Sequence, residues 1–190
     1  MTTDRFPLCA PFTFKSEGDY SNDQTDSGNW KNGLLVGSKY GITWQDVCAA
    51  YGYRYRITAE FMRNITPEFA YSVMRVQYWN VVNARSLWPG LDLFAFDFGF
   101  NSGNMISIEE IQKLLGFVGD DIDGDNGPKT IYAASQITDR AAFLGRLHDI
   151  EIEHYKKFEL WTKYGKGWTA RTNNRLHLAT RMLEDPTISG

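Results

Sequence analysis

The stretch LDLFAFDFGFNSG at 91–103 constrains this chain more than any other, because a run so apolar has to be covered on every side. Phe94, Phe96, Phe98 and Phe100 alternate as they would in a strand, yet the run is apolar enough for a fully buried helix. Periodicity alone leaves both open. Either form needs a large partner surface. With 190 residues, 43% hydrophobic and 15% aromatic, the chain can bury one sizeable core or two smaller ones.

The surrounding segments read mostly as helices. The opening segment is apolar on one face up to Ser16, with Gly18 as a natural stop, which places Glu17 at a helix C-terminus. Residues 18–41 hold five glycines among Asn, Asp and Ser, with LLV at 34–36 as the one strand signal, so a loop or hairpin is expected there. In ITWQDVCAAYG, Thr43 stands three residues before Asp46, a capping box that predicts a short helix ending at Gly52. Pro67 at a first turn, followed by apolar residues at helical spacing, predicts another helix through TPEFAYSVMRVQYWNVV. Ser107-x-x-Glu110 predicts a helix start, with a new unit beginning near residue 103. Phe143, Leu147, Ile150, His154, Phe158 and Trp161 predict one long amphipathic helix over 139–164, with His154 on its apolar face as a core residue. The fold class is therefore mainly α.

Charge and cysteine content exclude several functions. A net charge of -3 supplies no overall field to draw the chain onto nucleic acid or an anionic membrane, and no apolar run is long enough for a spanning helix. The N-terminus lacks a charged leader followed by an apolar run, so the chain is expected to be made in the cytoplasm without a signal peptide. Cys9 and Cys48 each lie in apolar stretches and read as core residues. Asp121, Asp123 and Asp125 fit the first positions of a calcium loop, but Asn126, Pro128 and Tyr132 occupy positions that such a loop gives to other residues. The three histidines form no zinc motif. No metal and no cofactor is expected. Residues 156–181 carry seven Lys or Arg against the single acid Glu159, a basic patch that pairs either with acids of its own domain or with an anionic polymer.

With no nucleophile elbow or phosphate loop, carboxylates remain as the carriers of chemistry. Glu17 and Asp26, with eight residues between them, could face each other across a hairpin cleft. Glycoside hydrolysis needs such a pair, one carboxyl protonating the leaving oxygen and the other supporting the sugar cation or a water. The negative end of a helix disfavours an ionised carboxylate, which suits Glu17 to the acid's role.

The blocks SEGDYSND, DSGN and YGIT at 40–43 resemble the EGGYSND…DPGG…YGIT pattern of glycoside hydrolase family 108, the lysozyme-like N-acetylmuramidases. Tyr78-Trp79, DFGFNSG and IQKLLG resemble later blocks of that family in the same order. DGDNGPKT at 123–130 and GKGWTARTNNR at 165–175 resemble the peptidoglycan-binding domain that commonly follows. Asp19, Ser27 and Asn29 depart from the pattern, and an insertion lies before YGIT.

The resemblance implies a lysozyme-like helical domain with a small loop or hairpin lobe over 1–102, a helical peptidoglycan-binding domain over 103–190, and a helix for the Phe-rich run. It implies Glu17 as general acid and Asp26 as supporting carboxylate, with Thr43 the nearest candidate to position water. Tyr20, Tyr40 and Trp79 are candidate sugar-stacking aromatics that could equally be core residues, and Asn101, Trp168 and Arg171 are further candidate substrate contacts. The implied activity is a muramidase acting on peptidoglycan as a monomer after release or export, with a lytic transglycosylase or an inactive wall-binding or secretion-accessory protein as alternatives.

Overall fold

Capping residues, more than apolar periodicity, set where the chain turns in the computed structural model, which describes residues 4–185. Thr43, Thr58, Thr66 and Asp139 each accept a backbone N–H from the first turn of the helix that follows, satisfying donors that a helix start leaves open. The described elements are α1 (Phe6–Ser16), β1 (Trp30–Lys31), β2 (Leu34–Leu35), α2 (Trp44–Tyr51), α3 (Ala59–Arg63), α4 (Pro67–Met74), α5 (Leu91–Ser102), α6 (Asn104–Leu114), α7 (Pro128–Ser135), α8 (Arg140–Lys156) and α9 (Trp161–Glu184). The mainly helical class with a small hairpin is the one expected from the sequence.

These residues form two compact units: one takes in the chain through Cys9 together with everything from Val81 onward, and the other is Ala10–Asn80. The division differs from a boundary at 102/103. Gly103 alone separates α5 from α6, and the two helices pack on each other, with Gly99 approaching so closely that an added Cβ would lie 2.8 Å from Asn104 Oδ1.

In the Ala10–Asn80 unit, β1 and β2 pair antiparallel, Trp30 opposite Leu35 and Lys31 opposite Leu34. Asn32 and Gly33 form the tight turn between them, both at positive φ. This Asn-Gly pair is the turn chemistry such a hairpin demands. α2 carries the expected capping box and ends at Gly52. α4 starts at Pro67 as expected and runs into a π-helical turn over Arg75–Trp79.

In the other unit the Phe-rich run is a helix, and Leu91 through Gly99 are all buried. Two carboxylates sit inside it. Asp92 accepts from Arg5 Nε at 2.5 Å, and burial raises its pKa to about 6 against the opposing pull of Arg5. Asp97 accepts from Arg171 Nη2 at 2.7 Å and from Arg175 Nη1 at 2.6 Å, while Arg175 also pairs with buried Glu151 of α8. This network fastens α8 and α9 to α5.

Two expectations need correction. Ser107 does not cap a helix: α6 begins earlier, and the Ser107 hydroxyl instead donates to the Ala95 carbonyl of α5 at 2.9 Å. The periodic stretch 139–164 is not one helix but breaks after Lys156, so that α8 and α9 pack on each other across the Glu151–Arg175 pair. α9 then carries the basic patch: the guanidinium groups of Arg171 and Arg175 turn inward to Asp97, whereas Lys163 and Lys166 stay exposed.

Candidate active site

Glu17 immediately follows the last residue of α1, where its backbone N–H still reaches the Phe14 carbonyl at 3.2 Å. Its side chain is half-buried. Thus the sequence-predicted placement of a carboxyl at a helix C-terminus is what the fold shows. Phe14 anchors this end, its ring lying 4.6 Å from that of Tyr40 and stacked 4.9 Å from that of Tyr71.

Asp26 is exposed and caps the single 3₁₀ turn Ser27–Asn29, its Oδ1 accepting from Gly28 N–H at 2.8 Å. Thr43 stands beside the same glycine: a Cβ built on Gly28 would fall 3.2 Å from Asp26 Oδ1 and 3.4 Å from Thr43 Cγ2. The fold therefore brings Asp26 and Thr43 to one spot. The Thr43 hydroxyl donates to Asp46 Oδ2 at 2.7 Å and accepts from Asp46 N–H at 3.3 Å, so toward a water it offers an acceptor only.

Asp46 is the residue that site-oriented sequence reasoning missed. Its Oδ2 also accepts the Thr43 backbone N–H at 2.8 Å, and its Oδ1 accepts the phenol of Tyr78 at 2.7 Å. Burial, the charge and hydrogen bond of Asp46, and the charge of Glu17 all push the Tyr78 phenol far above its usual range. Tyr78 therefore lies within electrostatic reach of Glu17. The capping box announced Asp46 in the sequence, though only as a helix feature.

The other candidates separate by burial and partner. Trp79 is 1% exposed and belongs to the core, so it is corrected as a sugar-stacking residue. Tyr20 donates its phenol to the Val36 carbonyl at 3.0 Å, with the Arg63 guanidinium 5.0 Å over its ring. Tyr40 has the ammonium of Lys39 5.0 Å over its ring, besides the contact with Phe14. These partners hold both tyrosines in place, and each remains half-buried.

In the other unit, Arg171 is corrected as a substrate contact because its guanidinium is paired with buried Asp97. Asn101 and Trp168 do share a groove of about 640 Å³ with Tyr155, Phe158 and Leu160. The Trp168 ring lies 5.4–6.3 Å from those of Tyr155, Phe158, Trp161 and Tyr164. His154 packs edge-on to Phe98 at 5.4 Å, and burial lowers its pKa.

The loop at 121–130 is organised around protein partners. Gln112 donates to Asp123 Oδ1 at 2.6 Å and to the Asp125 carbonyl at 3.0 Å, and Asp121 pairs with Lys129 at 2.6 Å. Among the described residues, no group of three or more His, Cys, Asp or Glu could hold a metal ion, and Cys9 and Cys48 form no disulfide. No described helix is long and apolar enough to cross a membrane.

The family model described as Glycosyl hydrolase 108 matches residues 10–103, a span that contains Glu17, Asp26, Thr43, Asp46 and Tyr78. Over that span the chain belongs to glycosyl hydrolase family 108. Among solved structures, "Structure of Brucella abortus SagA" is similar over nearly the whole chain, with a TM-score of 0.81 and 26% identity, covering 96% of this chain and 97% of that one. No curated protein matches. The family 108 segment thus coincides with the whole Ala10–Asn80 unit and continues through α5.

Proposed function

We propose that this glycoside hydrolase is an N-acetylmuramidase that cleaves the MurNAc–GlcNAc bond of peptidoglycan, with Glu17 as general acid and Asp26 as the supporting carboxylate. The observation that carries the reading is the family 108 match over the unit that holds Glu17 at a helix end and Asp26 beside Thr43. Cleavage of a glycosidic bond needs a proton on the leaving oxygen and negative charge or a directed water on the sugar that becomes cationic. Glu17, at the C-terminal end of α1, supplies the first function as the proton donor. Asp26, fixed by its Gly28 hydrogen bond, supplies the second function, and Thr43 can accept a hydrogen bond from the attacking water.

Residues 103–190 act in this reading as a wall-binding module. Support comes from the aromatic groove around Trp168, where stacked rings sit beside the amide of Asn101 and the exposed ammonium groups of Lys163 and Lys166 lie on the same helix as Trp168. Flat apolar rings flanked by an amide suit the faces and hydroxyls of a sugar. The protein works without metal or cofactor, as a monomer, on wall material that it meets after release or export.

Digestion of purified sacculi, with fragments analysed by mass, tests the activity. Reducing-end muramic acid is the expected product. Anhydro ends identify a lytic transglycosylase, and retained binding without fragments identifies an accessory protein; either overturns the muramidase assignment.

A further inference from the structure

We infer that the groove formed by α3, the start of α4 and the loop after α2 binds an acidic peptide, and that its ligand is the carboxylate-bearing peptide stem of peptidoglycan. The choice of that stem rests on the proposed function. The acidic-peptide chemistry of the groove stands without it.

The run YGYRYR at 51–56 alternates aromatic and basic residues. Gly52, at φ +67, ends α2 and opens a loop that stays exposed through Arg56. Tyr53 is 88% exposed and Tyr55 40%, so neither ring is spent on the core. Tyr55, Phe61 of α3 and Phe69 of α4 line a groove of about 500 Å³. Their rings meet at 5.4–5.8 Å with interplanar angles of 38–89°, which makes a corrugated wall rather than one flat platform. Tyr51 packs on Tyr55 at 6.0 Å and on Phe69 at 5.7 Å, and it borders a second concavity with Tyr53 and Arg54.

The polar groups around this wall are uncommitted. Among the described residues, the guanidinium groups of Arg54 and Arg56, the Glu60 carboxylate, the Asn64 amide and the Tyr55 phenol have no hydrogen-bond or ion-pair partner. The Thr58 hydroxyl oxygen accepts the Phe61 N–H at 3.1 Å, which leaves its proton to donate. Residues 50–64 carry Arg54, Arg56 and Arg63 against Glu60 alone, a positive spot in a chain of net charge -3. Arg63 is turned to the Tyr20 ring at 5.0 Å, so Arg54 and Arg56 are the pair left for a ligand.

This set selects one kind of occupant. A guanidinium takes a carboxylate through two parallel N–H bonds, so two arginines ask for a ligand with several carboxylates. Glu60 suits the ammonium of a diamino residue in the same ligand, Asn64 and Thr58 suit peptide groups, and a corrugated aromatic wall suits methyl and methylene groups. A neutral sugar would leave both arginines unused. The groove shares no residue with the Glu17, Asp26 and Thr43 site, so it holds the polymer and does not react with it.

The test titrates the full-length protein by NMR with an acidic tetrapeptide that contains glutamate and a diamino acid, reading the Asn64 amide and the Tyr55 ring. The fully amidated peptide and a neutral N-acetylglucosamine oligomer serve as controls. The expected result is saturable shifts at both residues with a Kd on the order of 1 mM, weaker at high salt, as a few exposed ion pairs give. The amidated peptide, and the double variant Arg54→Glu, Arg56→Glu with the acidic peptide, should each bind about 10-fold or more weakly. These arginines have no partner to lose, and circular dichroism verifies the fold. No shift at Asn64 and Tyr55, acidic-peptide binding unchanged in the double variant, or shifts produced by the sugar oligomer instead overturns the inference. Cleavage of sacculi is measured in parallel. Acidic-peptide binding by a protein that cleaves no sacculi sinks the muramidase reading and the stem as ligand, while cleavage without peptide binding sinks the groove alone.

Discussion

Replacing Arg175 with Met removes the cation at the centre of the scaffold that holds α8 and α9 to α5. Arg175 is completely buried, lies 4.8 Å over the Phe94 ring, and pairs with Asp97 at 2.6 Å and with Glu151. Asp97 keeps Arg171 Nη2 at 2.7 Å, so the loss falls chiefly on Glu151, a 0% exposed carboxylate. Breaking a buried pair by removing one partner costs about 3–5 kcal/mol, and Met returns only part of the packing on Phe94. At roughly 2–4 °C per kcal/mol for a chain of this size, Tm falls by about 6–20 °C. Denaturant unfolding at several pH values measures it. In the variant, the folded state favours protonated Glu151 more than the unfolded state does. The variant is therefore relatively stable below the unfolded value of about 4.3 and loses stability as pH rises, so its deficit shrinks in acid. The double variant Glu151→Leu, Arg175→Met removes both charges and recovers most of the loss. A deficit under about 1 kcal/mol for Arg175→Met, or no recovery in the double variant, refutes this account of the network.

Gly37 has φ +78, and an added Cβ would lie 2.5 Å from the Tyr20 phenol and 2.6 Å from the Ser21 carbonyl. Gly37→Ala should therefore cost about 2 kcal/mol or more by thermal unfolding, and an unchanged Tm contradicts the packing described. Asp92 should titrate in the folded protein near 6 by carboxyl NMR. Because that value lies above the ordinary 3.8, its contribution to stability is present in acid and is lost as pH rises through about 6, on the order of 3 kcal/mol. A midpoint below 4 would show that Arg5 outweighs burial. Trp168→Ala should weaken sacculus binding about 10-fold or more while leaving turnover of a short soluble glycan near the parent's, and equal loss of both would make the groove scaffold only.

The parts of this fold that local chemistry specifies were readable from the sequence. The Thr43–Asp46 box, Pro67 at a first turn and Gly52 as a stop each act within a few residues, and each marks a helix end in the structure. The hairpin was half visible: LLV announced β2, while Asn32-Gly33 was the overlooked signal for β1. Long-range partners account for the misreadings. Ser107 looked like a cap because nothing local reveals that Ala95 takes its hydroxyl. The spacing of Phe158 and Trp161 continues that of Phe143 and Leu147 across the break between α8 and α9, so periodicity ran two helices together. Residue type likewise hides burial: Trp79 and Arg171 carry side chains suited to sugars, yet one fills the core and the other pairs with Asp97. Glu17, Asp26 and Thr43 were picked out by motif, while Asp46 emerged only once α2 and the π turn were in place.

The central claim is that Glu17 delivers the proton that breaks the glycosidic bond. The most direct measurement is the rate of muramic reducing-end release from purified sacculi by Glu17→Gln, with fold verified by circular dichroism and wall binding by co-sedimentation. Gln preserves shape but cannot donate that proton, so cleavage should fall by on the order of 10²-fold or more with fold and binding unchanged. A correctly folded Glu17→Gln protein that turns over within about threefold of the parent, less than 1 kcal/mol of barrier, would contradict the account.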